Sequence, residues 1–85
     1  MENTKITLEQ LTSEIINIIA DRLGLENESV LPENDLVKDL GADSLDIVEL
    51  IMDIEGQYGV RLSDEIAEKI KTINDVIHHV HVAIA

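Results

Sequence analysis

Eighty-five residues make one small domain with a modest core. The chain has no cysteine, which excludes disulfides and thiolate metal sites, and no apolar run near the roughly 18 residues of a membrane span. Its 18 acids against 6 bases, a formal charge of −12, exclude nucleic acid and anionic membranes as partners and favour basic proteins.

Acidic chains can be disordered, but 45% hydrophobic content argues for a folded core. Tyr58 is the single aromatic side chain, so that core is built from Ile, Leu, Val, Met and Ala. The first residues are polar and charged, without a secretory pattern. The expected location is the cytoplasm, or a reducing organelle after removal of a targeting peptide.

Residues 1–6 are expected to be a frayed start, leaving an ordered core at about 8–84 of a single domain, 1–85. Thr7-Leu8-Glu9-Gln10 has capping-box spacing. Leu8, Leu11, Ile15, Ile18 and Ile19 then recur at helical spacing on one face, and Gly24 is a stop. A helix is expected over 8–23. Residues 24–42 carry Gly24, Asn27, Ser29, Pro32, Asn34 and Gly41 and read as a long connection. A connection of that length needs anchors, which Val30, Leu31, Leu36, Val37 and Leu40 can supply. Leu36–Leu40 is expected to form a helical turn.

The second helix is expected from Ser44 to Tyr58, with Asp43 as its N-cap and Gly59 as its stop. A short helix at 64–70, capped by Ser63, turns Glu65 and Glu68 outward and Ile66 and Ile70 inward. Thr72-Ile73-Asn74-Asp75 opens the last helix, where Ile73, Val76, Ile77, Val80 and Ile84 form a stripe. The fold class is therefore all-α: a small bundle of three main helices plus one short helix, with a long loop between the first and second.

The second helix has more apolar surface than a bundle needs. At about 100° per residue, Ile47, Leu50, Ile51, Ile54 and Tyr58 make one core stripe. Asp46, Glu49 and Asp53 make a second, acidic sector. Leu45, Val48 and Met52 make a third, at i, i+3 and i+7. That strip either packs under the 24–42 loop or serves as a docking surface, since apolar residues including Met suit repacking against several partners. Ten acids lie between residues 26 and 55 with Lys38 as the only base. A run of this kind is ordinarily a solvated face, but here it surrounds the helix with the spare strip. Long-range attraction would speed encounter with basic partners and weaken with salt.

Ser44 begins that helix, and three roles suit a serine there. It can cap the helix. It can be a nucleophile, which needs a base in reach and an oxyanion site. Neither is in view: there is no G-x-S-x-G elbow, and the only histidines are His78, His79 and His81 near the C-terminus. It can instead accept a group from another enzyme. A phosphoester would then meet the free N–H groups and favourable dipole of a helix N-terminus, with Gly41 allowing close approach. No metal site is expected. His78 and His81 with Asp75 read as solvated helix residues, and the acids of 26–39 lack the EF-hand ligand order.

The run Leu40-Gly41-Ala42-Asp43-Ser44-Leu45-Asp46-Ile47-Val48-Glu49-Leu50 resembles the attachment segment of acyl carrier proteins of dissociated, type II fatty acid synthesis. The resemblance spans about residues 8–80 and includes Leu36–Asp39 and Ala67–Ile70. It implies that Ser44 carries 4′-phosphopantetheine, added by a holo-synthase (a phosphopantetheinyl transferase), and that the arm's thiol holds acyl groups as thioesters. The missing cysteines fit a thiol supplied by the cofactor. It also implies a monomeric carrier that is not an enzyme and that presents its acyl chain to basic-surfaced acyl-processing enzymes. The implied docking positions are Asp43, Leu45, Asp46, Val48, Glu49, Met52 and Glu55, and the implied shelter for the acyl chain is the bundle interior.

The chain departs from the family at Gly56, Gln57 and Tyr58, where an acidic run and Phe are common, and at Arg61 and Ser63, in place of an acid and a proline. A specialised carrier of polyketide, aminoacyl or other acyl cargo is the nearest rival. An acidic interaction module with Ser44 as a mere cap is the rival from another class.

Overall fold

The structure is a computed structural model and describes residues 6–84. It is helical: α1 is Leu8–Leu23, α2 is Ser44–Tyr58, α3 is Asp64–Lys69 and α4 is Ile73–Ile84, with a short 3-10 turn at Asn27–Ser29. The expected all-α bundle is thus found, together with the long connection between its first two main helices. α1 packs against both α2 and α4, so it is the central element. Residues 1–5 of the expected frayed start lie outside the described residues, while Ile6 packs against the core.

Local chemistry sets the ends of α1. Thr7 and Gln10 form the capping box, each side chain accepting from the other's backbone N–H at 3.0 Å. Gly24 closes the helix at φ 70°, a left-handed conformation that favours glycine. Leu11, Ile15 and Ile19 are fully buried, as their spacing predicts. Leu8 departs from expectation and is exposed. Its azimuth matches the stripe, but it is the first helical residue, so its position along the axis leaves it uncovered.

In α2, Leu50, Ile51 and Ile54 are buried, with Ile47 and Tyr58 half-buried beside them. Tyr58 also donates its hydroxyl to Glu14 Oε1 on α1 at 2.7 Å. Burial, and then that bond to a carboxylate, push the phenol well above its ordinary pKa.

The 24–42 connection is held by fewer apolar anchors than expected. Val30 and Leu36 are buried and Leu40 is half-buried, but Leu31 and Val37 are exposed. Backbone pairing supplies the rest. Ile73 N–H donates to Asn34 O and Asn74 N–H to Pro32 O, while Leu36 N–H donates to Lys71 O. An isolated antiparallel bridge joins Asp35 to Thr72. The first N–H groups of α4, which no helical carbonyl can satisfy, are therefore capped by the loop. Asp75 adds to this by accepting from Lys71 and Thr72 N–H, and those bonds, the Thr72 one foremost, lower its pKa.

Gly56 stands in α2 with open space where a Cβ would go and an ordinary helical backbone. Gly56→Ala should therefore raise stability by about 0.5–1 kcal/mol, because alanine restricts the unfolded chain without strain. The same change at Gly59, at φ 65°, should destabilise. Denaturant midpoints of the two variants check the opposite signs, and equal signs would contradict them.

Candidate functional site

The segment leading into α2 is shaped by backbone bonds rather than by bulk. Asp35 accepts from Val37 and Lys38 N–H at 2.9 and 2.8 Å, and the Lys38 bond is the main reason its pKa falls. Asp39 Oδ2 accepts from Asp35 N–H at 2.7 Å. Together with Asp39 N–H to Asp35 O and Gly41 N–H to Val37 O, these make the expected turn at 36–40. Gly41 then takes φ 77°, and a Cβ there would meet no atom, so the backbone angle alone calls for glycine. Ala42 is buried, with its N–H on Leu36 O.

This route delivers Asp43 as the N-cap of α2. Its Oδ1 accepts from Asp46 N–H at 2.9 Å, and its own N–H donates to Asp46 Oδ2 at 3.1 Å. Ser44 is the first helical residue and is exposed. Among the described residues no hydrogen bond engages its hydroxyl, and neither Ser44 nor Leu45 N–H finds an acceptor. The cap is Asp43, as its position predicts, so Ser44 has no structural duty there. Among those residues no group of three or more His, Cys, Asp or Glu is placed to hold a metal ion.

The exposed hydroxyl stands beside two unpaired backbone donors at the positive end of a helix, a place that favours an anionic group.

The strip beside Ser44 does not pack under the loop. Leu45, Val48 and Met52 are 63%, 53% and 62% exposed, at i, i+3 and i+7 on one helix. The acids of α2 are another matter, because every one of them has a partner within the chain. Asp43 and Asp46 share the capping box. Glu49 and Asp53 are both bound by Arg22 from the last turn of α1, through Nη1 on Glu49 Oε1 at 2.7 Å and Nε and Nη2 on Asp53 Oδ2 at 2.8 and 2.6 Å. Glu55 Oε2 accepts from Leu62 N–H at 2.8 Å and steadies the 59–62 segment. The sequence shows the acids, but only the fold brings Arg22 to them across 27 and 31 residues.

Between α2 and α3 lies a groove of about 670 Å³. It is lined by the apolar Val48, Ile51, Met52, Leu62 and Ile66 and by the charged Glu55, Arg61 and Asp64. Periodicity alone did not reveal it, since the groove needs α3 set beside α2.

Residues 13–80 match the family described as a phosphopantetheine attachment site. The chain belongs to the acyl carrier protein family. It is 42% identical over 72 residues to an acyl carrier protein of Thermotoga maritima, covering 85% of this chain and 89% of the relative. It also superposes on the solved acyl carrier protein of Enterococcus faecalis with a TM-score of 0.76 and 28% identity, covering 92% of this chain and 99% of the other. The group that such carrier domains hold is phosphopantetheine.

Family membership leaves the carrier with an electrostatic burden. Of the ten acids at 26–55, Glu26, Glu28, Glu33, Asp39 and Asp43 are exposed and have no salt bridge among the described residues. Added sodium chloride or magnesium should screen this crowding and raise the melting temperature of the carrier by a few degrees. A flat or falling response in a thermal melt would contradict this.

Proposed function

We propose that this chain is an acyl carrier protein of fatty acid synthesis, with 4′-phosphopantetheine attached through Ser44 Oγ. One observation carries the reading above all: an exposed serine with an unengaged hydroxyl opens α2, inside the run LGADSLD. Ser44 lacks a base, so a holo-synthase supplies both coenzyme A and the catalytic groups. Ser44 Oγ takes the phosphopantetheinyl phosphate as adenosine bisphosphate leaves, and the serine proton passes to the transferase. The arm's thiol then holds acyl groups as thioesters, chemistry a cysteine-free chain cannot supply itself. On this reading the chain is a carrier and not a catalyst. It works as a monomer in the cytoplasm.

The rest of the site divides the labour. Asp43 and Asp46 fix the start of α2, and with it the place of the Ser44 backbone at the first turn. Leu45, Val48 and Met52 form the apolar centre of a docking surface, with Asp43, Asp46, Glu49 and Glu55 around it for basic partner enzymes. The α2/α3 groove suits an acyl chain, because Val48, Ile51, Met52, Leu62 and Ile66 give it aliphatic lining.

Arg61 and Asp64 in the groove lining favour a second reading, a specialised carrier whose cargo has polar substituents. Identifying the thioester on native protein separates the two. The primary reading is tested by incubating the chain with coenzyme A and a holo-synthase and measuring intact mass. One phosphopantetheine per chain is expected, and an unchanged mass overturns it.

A further inference from the structure

We propose, resting on the docking surface assigned above and extending it to Asp53, that Arg22 is a built-in competitor for the cationic side chains of partner enzymes. The free protein already shows how a partner's arginine would sit. Three N–H groups of one guanidinium span two carboxylates placed four residues apart on α2. Glu49 follows Val48 and Asp53 follows Met52 in the chain, so a partner seated on the apolar strip brings its rim cations to these carboxylates.

Arg22 is well placed to yield. Its side chain is 27% exposed and both carboxylates are 46% exposed, so water and salt reach the pair. At that exposure the contact is screened by salt, and it is weaker than the same fork would be if buried. The other α2 acids are bound by backbone N–H groups, which cannot leave without unwinding the chain. Among the described residues, Glu49 and Asp53 are the α2 acids held by a side chain that can swing away. Asp46 adds to the field on Arg22, so removing the guanidinium would leave three like charges in one sector.

The consequence is functional. A partner must replace Arg22 to use Glu49 and Asp53, which lowers the net gain from each charge contact. Partners with arginines in register with the apolar strip are favoured over those with diffuse positive charge. A weaker complex also releases sooner, which suits a carrier that visits several enzymes in turn.

The test measures binding of the unmodified chain to a holo-synthase, with coenzyme A withheld, at low and high salt. At low salt Arg22→Gln should tighten binding about three- to tenfold, while Lys71→Gln, which removes the same charge elsewhere, should tighten it less than about twofold. The difference should close at about 0.5 M salt. Weaker binding by Arg22→Gln, or a gain equal to that of Lys71→Gln, overturns the proposal. If Arg22→Gln loses helicity, Arg22→Lys decides, since it keeps the charge without the fork: tighter binding supports the proposal, and wild-type or weaker binding overturns it. Val48→Asp separates the two readings. It should weaken binding at least about tenfold. If Val48→Asp and Glu49→Gln both leave affinity unchanged, the docking surface itself is wrong and the role of Arg22 falls with it.

Discussion

Ser44→Ala should take up no phosphopantetheine from coenzyme A and a holo-synthase, while folding as stably as the wild type. Both halves follow from the geometry. The exposed hydroxyl of Ser44 makes no hydrogen bond among the described residues, so its loss breaks no contact, and a change within about 0.5 kcal/mol is expected. The cap beside it behaves in the opposite way. Asp43→Ala removes the acceptor for Asp46 N–H and should cost about 1 kcal/mol. Intact mass and denaturant melts on the two variants separate the roles. An adduct on Ser44→Ala would show that another group is modified. A stability loss on Ser44→Ala matching that of Asp43→Ala would return Ser44 to the role of a cap.

Ile54→Ala should be the most damaging single truncation in α2. Ile54 is fully buried, and it lies on the helix that also presents Ser44 and the apolar strip. Removing its outer carbons leaves a cavity that a close-packed aliphatic core cannot fill, at a cost of about 2–5 kcal/mol. Small domains have little more than that in total, so the melting temperature should fall by at least about 10 °C. Val48→Ala, six residues away on the exposed strip of the same helix, is the matched control and should cost less than about 0.5 kcal/mol. Equal losses would mean that the strip belongs to the core and is not a free surface.

The reading from sequence was most complete where the determinants are local. Thr7 with Gln10, Asp43 with Asp46, and Gly24 and Gly59 set helix ends through contacts within a turn of the chain. The short helix at Asp64–Lys69 with its Ser63 cap is of the same kind. Exposure of Leu31, Val37 and Leu8 was not legible, because whether an apolar residue is covered depends on a neighbour distant in sequence. The long connection showed the same limit. Its apolar residues were visible, but its main restraints are carbonyls of Pro32 and Asn34 on the first turn of α4, and backbone atoms leave no mark in side-chain pattern.

The site divides along the same line. The LGADSLD run, the spare strip of Leu45, Val48 and Met52, and the surplus of acid were all present in the sequence, because one helix carries them at fixed angular spacing. Which acids face solvent unpaired was decided only in three dimensions. Packing α1 against α2 puts Arg22 on Glu49 and Asp53, and the bend after Gly59 puts Leu62 N–H on Glu55. Helical periodicity determines what each face carries, whereas what stands opposite that face depends on how separate elements pack together.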